Sequence, residues 1–307
     1  MNRINVCLST DDNYVKYASN VILSTLSNKN PDDEYKFYVL YSSLSDESKK
    51  ILKSYDGVEL CPVDSEKYAP YFNNSACPHV ALPTLYRLSL PSILNELDRV
   101  LYLDCDLIVL KSLGEFFSTE ILDFEYAACV PDSCYKGHMQ RMGMEDDGKN
   151  FYFNAGVCLF DLAKMRRDNI EEKLFEYLRT NFKSLLFSDQ DVLNHVLKGH
   201  VKQMDEKYNF IAPNFYFSNE KDLVIAHFAG IKPWQIGFYN VYRELFWKYL
   251  SMTELGKTKE LQAQKRKVLF MHKWFCQILW HIKMYPLFFL RKRRFNDFLR
   301  IIKKSEY

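Results

Sequence analysis

Residues 99–110 read Arg99-Val-Leu-Tyr-Leu103-Asp104-Cys105-Asp106-Leu107-Ile-Val-Leu110. An apolar run that halts at two acids and then resumes predicts a buried strand, a short polar break and a second strand. On extended backbone residues i and i+2 project to the same side, so both carboxylates are expected at the carboxyl end of a sheet. Two hard oxygen ligands at such an edge suit Mg²⁺ or Mn²⁺, and a cation of that kind suits a diphosphate. An isolated Asp-x-Asp is also what a plain acidic strand end looks like, so the surrounding chain has to decide.

Upstream, Ile4 to Leu8 is expected as a first strand ending at Ser9-Thr-Asp-Asp-Asn13, and Tyr14 to Leu26 carries helical spacing. Tyr35 to Tyr41 reads as a second strand with Phe37, Val39 and Tyr41 on one face. Ser45 is placed to cap a helix through Tyr55, and Val58 to Val63 follows as a third strand. Residues 83–97 look helical and lead into the central strand. This alternation predicts an α/β fold, a mostly parallel central sheet with helices on both faces. Ligands on such sheets sit beyond the carboxyl ends of the strands. Asp11-Asp12-Asn13 and Asp104/Asp106 are therefore expected to face one crevice.

Downstream, Tyr126 to Val130 is expected as a strand, followed by Pro131-Asp132-Ser133 and a polar, Gly-containing loop or lid over 133–150. The apolar run Phe151 to Phe160 is interrupted by Asn154-Ala155-Gly156. Helices are predicted from Leu162 to Phe182 and from Ser188 to Leu197, and a last strand from Leu223 to Ala226. That strand leads into His227-Phe-Ala-Gly-Ile-Lys-Pro-Trp234, so His227 is expected at the same sheet edge as the two acids. Two carboxylates with an imidazole favour Mn²⁺ over Mg²⁺, which prefers all-oxygen surroundings. Gly230 lets backbone approach a ligand and Lys232 supplies a point charge for phosphate, while Trp234 reads as packing.

The 307 residues are 48% hydrophobic, with 23 Phe and 21 Tyr, ample for a packed core. Eight cysteines without a Cys-x-x-Cys pair argue against a disulfide framework or structural zinc and for a reducing cytosol. The opening residues are too short in apolar length to be expected as a signal peptide. Charge divides unevenly. Of 41 basic and 39 acidic residues, 14 and 3 lie in 257–307, leaving 27 and 36 in an acidic body.

The basic segment also carries the aromatic run from Val268 to Leu290, followed by Arg291-Lys-Arg-Arg294. Lys273, Lys283 and Pro286 interrupt the apolar stretch, so a spanning helix is not expected. Trp274, Trp280 and Tyr285 with flanking cations suit a helix lying among anionic lipid headgroups. Nucleic-acid binding is the rival, disfavoured by the density of Leu, Ile and Phe. A helix packed on the body or on a second subunit is a third reading. The expected division is a catalytic domain over 1–256 and a basic, aromatic-rich, membrane-associating helical tail over 257–307.

Six motifs stand in order over about residues 4–234: Asp11-Asp12-Asn13-Tyr14, Leu85-Tyr86-Arg87-Leu88, Tyr102-Leu-Asp-Cys-Asp-Leu107, Phe153-Asn-Ala-Gly156, Asp189-Gln190-Asp191 and His227-x-x-Gly-x-Lys-Pro-Trp234. Together they make the chain resemble the retaining glycosyltransferases of family 8, most closely the bacterial lipopolysaccharide α-galactosyl- and α-glucosyltransferases. The resemblance implies a Rossmann-like GT-A fold, a UDP-galactose or UDP-glucose donor, and Mn²⁺ held by Asp104, Asp106 and His227. It implies Asp11 and Asn13 at uracil and ribose, the Cys105 backbone at ribose, and Gly230 and Lys232 at the diphosphate. Arg87, Asn154, Ala155, Asp189 and Gln190 would surround the donor sugar, with Arg87, Asn154, Asp189 and Gln190 taking part in catalysis and Asp132 nearer the acceptor. Cys105 stands where family members usually carry a small or apolar residue.

Each assignment has a plainer competitor. Arg87 could simply pair with an acid on a helix. Asp189 and Asp191 could be first-turn acids favoured by the helix dipole. Asn154-Ala155-Gly156 could be only a bulge. For the whole chain, the alternatives are a catalytically silent sugar-nucleotide or glycan-binding protein and a sugar-nucleotide hydrolase. The leading expectation is a cytoplasmic enzyme, peripheral on the inner face of the inner membrane, acting on a lipopolysaccharide, lipo-oligosaccharide or other glycan.

Overall fold

The computed structural model describes residues 2–72, 82–132, 137–144, 150–211, 221–236 and 240–281. The expected features at 133–136, 145–149 and beyond 281, Tyr285 and Arg291–Arg294 among them, lie outside the described residues, as does the Trp280 side chain.

Ten strands are described: β1 (Asn2–Ser9), β2 (Asp33–Tyr41), β3 (Val58–Pro62), β4 (Arg99–Leu103), β5 (Leu107–Val109), β6 (Ala127–Pro131), β7 (Phe153–Asp161), β8 (Val201–Gln203), β9 (Phe210–Ile211) and β10 (Ile225–His227). Seven form a sheet in the order β3-β2-β1-β4-β7-β6-β8, and β5-β10-β9 form a second, small sheet. Within the large sheet only β7 runs against its neighbours β4 and β6; the other pairings are parallel. The strand order reverses between β1 and β4, so the crevice beyond Ser9 and Leu103 is the topological switch point.

Strands buried on both faces must be apolar throughout, and β1 and β4 show why the sequence reads that way. Ile4, Val6, Leu8, Leu101 and Leu103 enter a core shared with Val21, Phe37, Phe246 and Trp247. Cys7, Val100 and Tyr102 enter a separate core with Tyr86, Phe153 and Leu193 on the opposite face. Helices cover both faces as expected. Ser45 caps the helix Asp46–Lys53, its hydroxyl accepting from the Ser48 N–H at 3.3 Å.

Three local expectations are corrected. Residues 162–182 form two helices, Leu162–Arg167 and Ile170–Asn181, divided at Asn169, whose φ is 52°. Asparagine tolerates this left-handed conformation, and before the break Arg166 donates to the Leu97 carbonyl at 2.9 Å. The run through Asn154-Ala155-Gly156 is not an interruption: β7 is continuous from Phe153. Its pairing jumps from Cys129↔Cys158 to Pro131↔Phe153, so residues 154–157 oppose Val130 alone. Such a bulge re-aims side chains. Finally, His227 is the last residue of β10 rather than the residue after a strand, and β10 belongs to the small sheet.

The expected loop at 133–150 contains a short helix, His138–Arg141. The first part of the basic segment forms the helix Lys259–His281, and Leu261 and Val268 from it join the core. Among the described residues no helix is long and apolar enough to cross a membrane.

Candidate active site at the switch point

Asp104 and Asp106 occupy the break between β4 and β5, which places one acid at the end of each sheet. β10 pairs antiparallel with β5, setting His227 against Leu107, and the Phe228 N–H donates to the Asp106 carbonyl at 2.9 Å. Residues 121 apart in sequence are thereby brought together. One ligand atom from each of Asp104, Asp106 and His227 lies within 4.8 Å of the others. Gly156 makes room for this approach: a Cβ there would stand 2.5 Å from His227 Cε1 and 2.6 Å from Asp104 Oδ2.

The charges around this point are not balanced by protein cations. Arg87, almost fully buried, donates from Nη2 to Asp104 Oδ1 at 2.7 Å, from Nε to the Thr84 carbonyl at 3.0 Å and from Nη1 to the Ala155 carbonyl, and its Nε forms an ion pair with Asp189 Oδ2 at 3.0 Å. Its guanidinium lies 4.3 Å from the centre of the Tyr102 ring. Lys232 Nζ pairs with Asp106 Oδ2 and donates to the Phe228 carbonyl at 3.2 Å. Burial pushes the Asp106 carboxyl up, but the charges around it, Lys232 first among them, outweigh that and hold it below the ordinary carboxylate range. Burial also pushes Asp189 up, against the pull of Arg87, to about 7. Carboxylates with an imidazole and an excess of negative charge are a donor set that a divalent cation fits.

Two cavities meet here. The first is lined by Ser9, Thr10, Asp11, Tyr14, Thr84, Tyr102, Asp104, Cys105, Asp106 and Lys232. The second is lined by Thr84, Arg87, Asp104, Asp106, Asp132, His138, Asn154, Ala155, Gly156, Phe187, Asp189, Gln190, His227, Gly230 and Lys232. Thr84, Asp104, Asp106 and Lys232 belong to both. Gly230 has φ 88°, which a larger residue adopts only under strain. Cys105 Sγ turns to the Ser9 carbonyl, 3.2 Å away.

Hydrogen bonds join the second cavity into one network. Gln190 Oε1 accepts from the Ala155 N–H at 3.0 Å and from Asn154 Nδ2 at 3.2 Å. Gln190 Nε2 donates to Asp132 Oδ2 and to the Tyr152 hydroxyl, each at 3.2 Å. Asn154 Oδ1 accepts from the Gly156 N–H and from Asn209 Nδ2, each at 3.0 Å. Asn209 Oδ1 lies 2.8 Å from His227 Nδ1.

Some members of the sequence motifs lie elsewhere. Asn13 is exposed at the start of the first helix and lines neither cavity. Asp191 is fully buried behind Gln190, where it accepts from Arg141 Nη1 at 2.9 Å, from Arg141 Nη2 and the Tyr152 hydroxyl at 2.5 Å each, and from the Leu186 and Phe187 N–H groups at 3.0 Å each. Asp12 is also turned away, accepting from the Ser45 N–H and hydroxyl. Trp234 packs, stacked 3.7 Å from Tyr17, and the Pro233 carbonyl beside it accepts from Arg243 and Trp247. That anchoring fixes the turn bearing Lys232.

Sequence reasoning did not find Thr84, His138, Tyr152, Phe187 or Asn209. His138 lies in the stretch read only as a loop, Thr84, Tyr152 and Phe187 border the motifs without belonging to them, and Asn209 lies in a short connection between a 3-10 turn and β9. Only the fold carries them to the site.

The family model described as "Glycosyl transferase family 8" matches residues 5–236. General stress protein A of Bacillus subtilis is 27% identical over 268 residues, covering 80% of this chain and 92% of that protein. Lipopolysaccharide 1,2-glucosyltransferase of Escherichia coli is 29% identical over 310 residues, covering 91% and 89%. Among solved structures, the galactosyltransferase LgtC in complex with donor and acceptor sugar analogs superposes with a TM-score of 0.74 at 26% identity, over 85% of this chain and 100% of that one. Its likeness extends to the mixed α/β architecture around the central sheet. With the acidic pair, the bulged Asn154–Gly156 segment and the His227–Trp234 turn all inside the matched span, the chain belongs to glycosyl transferase family 8.

Proposed function

We propose that this chain is a metal-dependent retaining hexosyltransferase that moves glucose or galactose from a UDP-sugar to a lipopolysaccharide, lipo-oligosaccharide or related glycan. The observation that carries the reading is the shared wall of the two cavities. Asp104, Asp106 and Lys232 line both, so a ligand with a nucleoside in one and a sugar in the other would set its diphosphate against them. The likeness to a lipopolysaccharide glucosyltransferase and to a galactosyltransferase supports the donor and acceptor classes.

In this reading Asp11, Asn13 and the Cys105 backbone bind the nucleoside, and Gly230 and Lys232 the diphosphate. A divalent cation held by Asp104, Asp106 and His227, Mn²⁺ in preference to Mg²⁺, supplies charge neutralisation for the leaving diphosphate. Lys232 adds a second positive charge to that group. Arg87, Asn154, Ala155, Asp189 and Gln190 hold the donor sugar, and Asp132 the acceptor. The Asp189 carboxylate stabilises positive charge as the anomeric bond breaks. Gln190 Oε1 already accepts two hydrogen bonds, which suits holding rather than attack. Front-face attack follows, the departing phosphate oxygen taking the acceptor proton.

Residues 257–307 act in this reading as a membrane-associating tail on the cytoplasmic face. Phe270 and Trp274, 66% and 49% exposed, lie one turn apart beside Arg266, Lys267 and Lys273.

The test is UDP release by the full chain across UDP-galactose, UDP-glucose and their N-acetyl forms, with and without Mn²⁺ and glycolipid acceptor. One donor turned over only with Mn²⁺ and acceptor is the expected result. Binding without turnover points to a silent binding protein, and equal release without acceptor points to a hydrolase.

A further inference from the structure

We infer that Asn209 is a positioning residue that locks His227 in its Nδ1–H tautomer and thereby reserves Nε2 as a metal ligand. This rests on the cation reading of Asp104, Asp106 and His227.

A peptide N–H can only donate. The Gly156 N–H points at Asn154 Oδ1 from 3.0 Å, so that atom is the amide oxygen. The atom of Asn209 facing the same oxygen at 3.0 Å must donate and is therefore Nδ2. Its other amide atom, 2.8 Å from His227 Nδ1, is then an oxygen, which can only accept. His227 Nδ1 must carry the proton. Every orientation in this relay is dictated by one backbone group.

The consequence falls on the other ring nitrogen. Nε2 faces Asp106 Oδ1 at 3.2 Å. A neutral imidazole with its proton on Nδ1 presents a lone pair there, towards a carboxylate that also only accepts. Two facing acceptors in a buried site call for a positive centre between them, and this is the arrangement that coordination uses. Left to itself the imidazole would choose the other tautomer, donating Nε2–H to Asp106 in a charge-assisted bond. That choice would cover the ligand atom and one carboxylate oxygen at once. Asn209 opposes it through the hydrogen bond it accepts.

The same relay reaches the opposite side of the sugar cavity, since Asn154 Nδ2 donates to Gln190 Oε1. The orientation of the metal-side imidazole and of the Gln190 amide thus share their anchor in the bulge of β7. Asn209 itself lines neither cavity, so its effect is exerted through His227.

The experiment uses ¹⁵N-histidine-labelled full chain, metal-free at about pH 8, where histidines are ordinarily neutral. Two-bond ¹H–¹⁵N correlation spectra report the tautomer, and a His227→Gln variant assigns the signal. Wild type is expected as Nδ1–H, Asn209→Leu as Nε2–H, and Asn209→Asp as Nδ1–H because its carboxylate still accepts. Mn²⁺ affinity, read from free Mn²⁺ by electron paramagnetic resonance, should weaken roughly 10- to 100-fold in Asn209→Leu and stay within about threefold in Asn209→Asp. A Leu variant that keeps both the Nδ1–H signal and wild-type affinity overturns the proposal, as does an Asp variant that carries its proton on Nε2. Wild type that binds no Mn²⁺ yet shows the tautomer switch would sink the cation reading and leave the lock standing.

Discussion

Two buried clusters of charge lie on either side of Gln190, built from the same residue types and finished differently. On one side Arg141 and Tyr152 meet Asp191, and two backbone N–H groups complete its coordination. On the other, Asp104, Asp106 and Asp189 share Arg87 and Lys232, with His227 turned towards Asp106. In the first cluster the Asp191 carboxylate is saturated and closed to both cavities; the second cluster carries excess negative charge and opens into them. Asp189 and Asp191, two residues apart in the first turn of one helix, divide between them. Burial pushes both carboxyls up, but Arg141, Tyr152 and the Phe187 N–H bring Asp191 below its ordinary value, whereas Asp189 stays at about 7. A buried acid is thus read by whether the protein finishes its partners: a finished one holds the fold, and an unfinished one waits for a ligand.

Asp106→Asn tests this contrast most severely. Turnover with Mn²⁺ should fall by at least about 100-fold while the protein stays folded, because a ligand is lost. Unchanged turnover would reject the open cluster as the cation site. Asp191→Ala should do the reverse. It strands Arg141, Tyr152 and two N–H groups, costing about 2–3 kcal/mol of stability measured by denaturant unfolding, with Arg141's partial exposure softening the loss. A variant as stable as wild type would remove the distinction.

Titration separates the two acids by sign. A carboxyl raised to about 7 binds its proton more tightly folded than unfolded, so Asp189 costs stability progressively as pH rises from about 4 to 7. Asp191, depressed, contributes stability above the ordinary carboxylate value and loses it only as pH falls below. The melting temperature of Asp189→Asn should therefore gain on wild type between about pH 4 and 7; a constant difference across that window would contradict the raised value. The smallest effect concerns the tail. Phe270→Glu with Trp274→Glu should weaken co-sedimentation with anionic vesicles roughly 10-fold and leave turnover on a soluble acceptor unchanged. Equal sedimentation would argue that these side chains face something else.

Much of the frame was legible in the chain. The alternation of strands and helices, the break at Asp104–Asp106 and the cap at Ser45 are local patterns, and local patterns survive folding. The single helix expected over 162–182 failed at Asn169, where side-chain tolerance of a left-handed residue overrode apolar periodicity. Asn154–Gly156 read equally as site or bulge, and the structure makes it a bulge that carries cavity residues, so the two readings were never exclusive. Asp189 and Asp191 looked alike in sequence because their difference lies in Arg87 and Arg141, both far away along the chain.

Periodicity and charge alone call for a doubly covered, mostly parallel sheet, an acidic pair at its edge and a basic, aromatic tail, because neighbouring residues carry those signals. Folding supplied the rest: His227 enters from a second sheet, Gly156 leaves space for it beside Asp104, and Asn209 sets its tautomer. Pairing between β5 and β10, and the geometry of a hydrogen-bond relay, depend on contacts across the chain that no local pattern encodes.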